Sequence, residues 1–196
     1  MNTRSRENFL IQVMNSGFER AAASFSRLVN RSVKIINGQS VLIRQEQDFS
    51  SISEEQGDLH ILVTQIIGDI SGKSFLIFNR DESVEVFKTL SHSVKSDTLN
   101  EAFLLELDNI ISASVISELS DSLDLEIYGD VPQLVKINAK DLQLFMTKDE
   151  KKDDPASVVF CNTTFQFDKH EGVHPQFIWK LSSKIFELIP EQKITA

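Results

Sequence analysis

The sequence predicts an α+β fold, an α/β/α sandwich in which two like-ordered halves merge into one continuous β-sheet flanked by helices. Three observations carry that expectation. Residues 9–15 and 103–109 align without a gap, and the offset of 94 holds for about thirty residues. Each half opens on apolar positions at helical spacing. Each then runs through strand-like segments in the same order and closes on a short helical segment.

In the first half the helical stripe is Phe9, Leu10, Val13, Met14, Ala21, Ala22 and Phe25. A strand is expected over Ser32 to Ile36, a turn at Asn37-Gly38, and further strands over Ser40 to Arg44, Leu59 to Ile67 and Lys73 to Phe78. Asp81 to Leu90 closes the half as a helix, and Ser91 to Leu99 connects it to the second. There Phe103, Leu104, Leu107, Ile110, Ile111, Val115 and Leu119 form the stripe, with Asn100 as N-cap and Glu101 in the first turn. Strands Leu125 to Tyr128, Leu134 to Ile137, Ala156 to Phe167 and Gln176 to Trp179 follow, with a turn at Val131-Pro132 and a closing helix over Ser182 to Leu188. The polar stretches Arg44 to Asp58 and Thr147 to Pro155 read as hairpin loops, the latter a solvated charge run. Residues 1–196 are expected to form one domain, with repeat one at about 5–91 and repeat two at about 99–190.

Composition narrows the function classes. With 20 basic and 29 acidic residues the formal net charge is −9, which disfavours nucleic acid as a partner. Cys161 is the only cysteine, so neither an intrachain disulfide nor a cysteine-built zinc site is available. No apolar run approaches the ~20 residues of a bilayer span, and Met1 to Glu7 is too polar for a signal peptide. A cytoplasmic protein with no membrane segment is expected. A chain this long buries roughly 70% of its unfolded surface, enough for a core without staples.

At about 100° per residue, Ala102, Glu106, Asn109, Ala113 and Ser117 share the side of the second helix opposite its stripe. Glu106 and Asn109, three apart, are neighbours there. Asn is a poor helix-interior residue because its amide competes for backbone partners. The stripe does not require one, and the equivalent position in the first half is again Asn, at Asn15. A solvated helix face accounts for the pattern too; small Ala113 and Ser117 would also let another molecule approach closely.

These residues resemble the CheC family of chemotaxis phosphatases (CheC, CheX and the related FliY), and the resemblance spans nearly the whole chain. The family pattern is Asp or Ser, three residues, Glu, two residues, Asn, twenty-two residues, Pro. Glu106, Asn109 and Pro132 match it at those intervals, and Ala102 departs from it at the leading position. In the first half Asn15 is followed by Ser16-Gly17 as in family members, but Asn8 stands at the leading position, Gln12 replaces Glu and Gly38 replaces Pro. That half reads as a degenerate second site.

The resemblance implies a phosphatase acting on the aspartyl phosphate of a CheY-like response regulator. Asn109 would hold the attacking water by donating one hydrogen bond and accepting another, as Gln does in some GTPases. Glu106 would pair with the regulator's active-site lysine. Pro132 would support the helix. No cofactor of its own is implied, because Mg2+ comes with the regulator, and the family's CheD is a further candidate partner. The alternative is a non-catalytic receiver-binding or scaffold module of chemotaxis or another two-component system. The switch proteins FliM and FliY resemble this fold as well, but with added segments for which this length leaves no room.

Other chemistry is set aside on the residues. His170 and His174 flank Gly172 in a loop, so their spacing does not place two imidazoles on one helix face. His60 and His92 have no Ser or Cys at a recognisable spacing. Cys161, in a β-branched and aromatic run, reads as a core thiol, and Trp179 and the fourteen phenylalanines as core. Ser112 and Ser114 lack elbow glycines, and there is no P-loop. No metal site is expected.

Overall fold

The structure is a computed structural model that describes residues 3–43, 57–90, 97–148, 156–167 and 172–191. Helix α1 (Thr3–Val29) leads to β1 (Val33–Ile43), β2 (Asp58–Gly68), β3 (Gly72–Asn79) and α2 (Arg80–Leu90). Helix α3 (Asp97–Leu123) leads to β4 (Ile127–Gly129), β5 (Gln133–Asn138), a 3-10 turn (Ala139–Asp141) and α4 (Leu142–Thr147). Strands β6 (Ala156–Phe167) and β7 (Gln176–Ser182) and helix α5 (Ile185–Leu188) complete the described chain. Residues 44–56, 91–96 and 149–155, which make up most of the two expected loops and the connector, lie outside the described residues, as does His170.

Among the described residues seven strands form one sheet in the order β1-β6-β7-β3-β2-β4, with β5 also pairing β2. Every pairing is antiparallel. The order is palindromic under exchange of the halves: β1 corresponds to β4 with β5, β2 to β6 and β3 to β7. The long helices also end alike. Asn30 (φ 51°) and Asp124 (φ 57°) both take the left-handed conformation, and 124 − 30 = 94. The next amide donates back to Ser26 O at 3.2 Å in one case and to Ser120 O at 3.1 Å in the other, each closing a Schellman-type cap.

Alternation along the strands fills two cores. On one face Leu62, Ile66, Leu76, Phe78, Val159, Cys161, Phe177 and Trp179 pack against α1 and α3. On the other, Leu59, Ile61, Phe75, Ile77, Val158 and Ile178 pack against Ala139, Leu142 and Met146. The expected sandwich is therefore present, and Cys161 and Trp179 are core residues as expected.

Three local expectations are corrected. Asn37-Gly38 is not a turn: β1 continues through it, with Asn37 opposite Thr163 and Gln39 opposite Asn162, so the intervening Gly38 is absorbed as a bulge. The second half does break at the equivalent point, where Pro132 has no N–H to contribute to a ladder. Asn100 is not the N-cap, because α3 begins one turn earlier at Asp97; Asp97 and Thr98 are themselves good starting residues, with no breaker between them and the stripe. Helix α4 was not expected, because its six residues are too few to show a period.

Helices α1 and α3 cross closely at Gly17. A Cβ there would lie 2.6 Å from Val115 Cα, a backbone atom that cannot step aside. Replacing a mid-helix Gly by Ala ordinarily gains about 0.5–1 kcal/mol, whereas overpacking costs roughly 1–3 kcal/mol. The clash should win, so Gly17→Ala is expected to lower stability by about 1–2 kcal/mol in urea denaturation. A variant as stable as the parent or more so would show that the helices part easily at this crossing.

Candidate functional site

Helix α3 divides sharply by side. Leu104, Leu107, Ile111, Val115 and Leu119 are fully buried, while Ala102, Glu106, Asn109, Ala113 and Ser117 are exposed. Glu106 and Asn109 thus stand together on the solvent side, and neither has a hydrogen-bond or ion-pair partner among the described residues. Two surface contacts hold the helix at its ends. Lys136 Nζ on β5 meets Glu101 at 2.6 Å, and Arg20 on α1 meets Glu118 at 2.5 Å. Lys136, by hydrogen bond and charge, holds the Glu101 carboxyl below the usual carboxylate range.

The first-half residues are placed differently. Gln12 is exposed, but Asn15 is half-buried and engaged in an interaction of its own. The structure does not bring them into the Glu106–Asn109 face; they lie on α1.

Pro132 is buried. It lies in the interruption between β4 and β5, which falls opposite Thr64 and Gln65: Ile66 pairs with Gly129 and Val63 with Gln133. Within the interruption Asp130 N donates to Gln65 O at 2.8 Å and Val131 N to Asp130 Oδ1 at 2.7 Å. A Cβ on Gly129 would meet Ile116 Cδ1 at 2.9 Å and Thr64 Cγ2 at 3.2 Å, so the broken edge is pressed against α3. Pro132 lies within this interruption, shielded from solvent.

A residue not singled out from the sequence lies under the exposed pair. Asp108 is fully buried, between Leu107 and Asn109 in sequence but on the inner side of the helix. Thr64 Oγ1 donates to Asp108 Oδ2 at 2.7 Å, and Ser112 Oγ donates to the Asp108 carbonyl oxygen at 2.6 Å. Asp108 Oδ1 has no partner. Burial pushes the carboxyl up to about 7, against the opposing pull of the Thr64 hydrogen bond. Spacing could have found it: Asp108 is four residues after Leu104 and three before Ile111, inside the apolar stripe.

Farther toward the helix's N-terminus, His60 is half-buried on β2; burial first, then the charge of Lys136, lower its pKa. No group of three His, Cys, Asp or Glu that could hold a metal occurs among the described residues. Among them, too, no helix is long and apolar enough to cross a membrane.

Comparison with known proteins places this geometry in a fold. No protein-family model matches the sequence, and no curated protein matches it. Solved structures do. FliY of Thermotoga maritima is similar with a TM-score of 0.70 at 14% identity, over 100% of this chain and 98% of that one. CheX of Desulfovibrio desulfuricans gives 0.55 at 16% identity, over 87% and 97%. The FliM middle domain of Vibrio alginolyticus gives 0.62 at 10% identity, over 93% and 98%. CheX of Borrelia burgdorferi, solved in a complex with CheY, BeF3 and Mg2+, gives 0.51 at 16% identity, over 85% and 96%. The chain has the fold these FliY, FliM and CheX structures share.

The buried carboxyl makes stability depend on pH with a definite sign. Below about pH 4 both folded and unfolded chains hold the proton, and the folded state is not penalised. As pH rises the unfolded carboxyl ionises first, so stability falls until pH passes about 7. Asp108→Asn has no such proton to lose. Between pH 5 and pH 8 the parent is expected to lose roughly 2–3 kcal/mol relative to the variant in urea denaturation. A difference that stays constant over that range would contradict a neutral buried acid.

Proposed function

We propose that the chain is a phosphatase for the aspartyl phosphate of a CheY-type receiver, with Asn109 as the water-positioning residue and Glu106 as the docking contact. The observation that supports this reading is the exposed Glu106–Asn109 pair on α3, without a partner among the described residues, with Pro132 at the motif interval. The fold shared with CheX, one example of which was solved with CheY, BeF3 and Mg2+, agrees with it.

The chemistry asked of the chain is modest. An acyl phosphate is already labile, and the receiver brings its own lysine and divalent metal as part of the substrate. The missing component is a water held in line with the P–O bond. A carboxamide both donates and accepts, so Asn109 can fix such a water without adding charge beside the phosphoryl group. The gain is one of positioning and avoided reorganisation. Glu106 would be a poor partner for that water, since its carboxylate repels phosphoryl oxygens. It is suited instead to the receiver's lysine, through a charge-assisted contact that sets the docking register. The exposed small residues Ala113 and Ser117 leave room along the same face for the receiver to approach.

A second reading is a non-catalytic switch or scaffold module that binds a receiver. The TM-score to the FliM middle domain, 0.62, exceeds those to the two CheX proteins, 0.55 and 0.51, and favours keeping it. Loss of label from a radiolabelled phospho-receiver with magnesium separates the two. The phosphatase reading expects faster decay with the parent, and a loss on the order of 10²-fold in that acceleration with Asn109→Ala, as for removal of one positioned donor. Glu106→Ala should act mainly by weakening engagement, raising KM more than it lowers kcat. Binding with an unchanged decay rate would favour the scaffold.

The first-half face provides a further check. Gln12 can hydrogen-bond but cannot form an ion pair with lysine. If α1 retains a latent site, Gln12→Glu should raise turnover of the same phospho-receiver in the Asn109→Ala background. Turnover that stays at the receiver's own decay rate would make that half a structural remnant.

A further inference from the structure

We propose that Asp108 is a positioning residue: its carboxyl, kept neutral in the core, ties the turn of α3 bearing Glu106 and Asn109 to Thr64 on β2, and loss of its proton releases that turn. The consequence for turnover rests on the phosphatase reading above; the mechanical coupling does not.

The fold does not need a carboxyl at this place. Residue 108 − 94 = 14, and Met14 occupies the equivalent position in the first half, also fully buried. An apolar side chain therefore suffices to pack a long helix onto this sheet. The acid occurs only in the half that carries the Glu and Asn pair. It also sits beside the edge break that distinguishes that half. Its side chain accepts from Thr64, which faces the break made at Pro132, and its backbone oxygen accepts from Ser112 within the helix.

The surroundings favour the neutral acid over the ion, burial outweighing the one hydrogen bond that favours the charge. Thr64 lies directly opposite Ser74 on β3, and Ser74 opposite Trp179 on β7, all on the face toward the helices. Ser74 Oγ and Trp179 Nε1 are buried and, like Asp108 Oδ1, have no partner among the described residues. A polar row thus runs along the helix-facing side of the sheet from β2 to β7, with one hydroxyl donor engaged by the carboxyl. Among the described residues no opposite charge reaches it. On β2 the titratable neighbour on the same face is His60, two pleats away. On β5 Lys136 is turned to Glu101, and on α1 Arg20 is turned to Glu118 and Asp121. The helix-facing residues of β4, β3 and β7 near the row are Ile127, Leu76, Phe177 and Leu181, and α2 contributes Val86. Ionisation here leaves a carboxylate with a single hydrogen bond, a state relieved by lifting the turn toward water. Because Asn109 follows Asp108 directly and Glu106 precedes it by two, lifting that turn displaces both exposed side chains together.

The test follows the Asn109 side-chain amide and the backbone amides of residues 105–110 by NMR between pH 5.5 and 8.5, in the full chain without ligand. In the parent they should move together with one midpoint near pH 7, while the Asn15 side-chain amide, beside Met14, should not. Asp108→Asn should abolish the transition. Thr64→Val, which removes the donor favouring the charged form, should raise the midpoint, so the proposal stays testable if either variant folds poorly. With a magnesium-loaded phosphorylated CheY-type receiver, the parent's acceleration over the receiver's own decay should fall on the order of tenfold from pH 6 to pH 8, with a flat profile for Asp108→Asn. Asn109 signals that ignore pH, or that shift equally in Asp108→Asn, overturn the proposal. Coupling that is present without acceleration at any pH upholds it and overturns the phosphatase reading instead.

Discussion

Helix α3 can hold two polar side chains out to solvent only because its other side is seated on α1 and the sheet. Leu104, Leu107, Ile111, Val115 and Leu119 are closed off from solvent against α1 and the sheet. At roughly 1.5–3 kcal/mol per buried aliphatic side chain, that seat far outweighs anything the exposed face contributes. The crossing at Gly17 sets how closely α1 approaches, and the pressed edge at Gly129 sets where the strand floor lies. Glu106 and Asn109 inherit their direction from these contacts. Their lack of partners leaves them available, and the burial beneath them keeps them in place.

The duplication explains why one half can specialise. The palindromic sheet and the matched helix ends at Asn30 and Asp124 mean that each half solves the same packing problem. At the edge strand the solutions diverge. Gly38 lets β1 run on through a bulge, whereas Pro132 breaks its counterpart into β4 and β5 opposite Thr64. Met14 and Asp108 diverge at the same depth, and Gln12 and Glu106 at the same exposure. Three differences at equivalent positions fall along one line from the sheet floor to the helix surface. Under the proposed phosphatase activity, the second half would be kept for chemistry and the first for support.

Much of this was legible in the sequence, because the signals were periodic. The two stripes, the order of strands and the opposed exposed row of α3 all rest on spacing, and burial follows them at most positions, with Phe9, Ala22, Phe103 and Ile110 only half-buried. Where the signal was a single residue, the outcome depended on context. Asn37-Gly38 has the composition of a turn, but β6 offers a ladder on the far side and the chain stays extended. Helix α4 is too short to show a period and exists because the second face of the sheet needs covering. Asp108 escaped notice because a carboxylate is expected outside; its position inside the stripe was visible, but its proton is a property of the folded core.

The most direct test of the central claim is a structure of this chain bound to a CheY-type receiver held in its active state by BeF3 and Mg2+. The account predicts that the receiver covers the exposed row of α3, with the Asn109 carboxamide at the beryllofluoride group and Glu106 at the receiver's lysine. A receiver seated on another face, with Asn109 still in solvent, would contradict it.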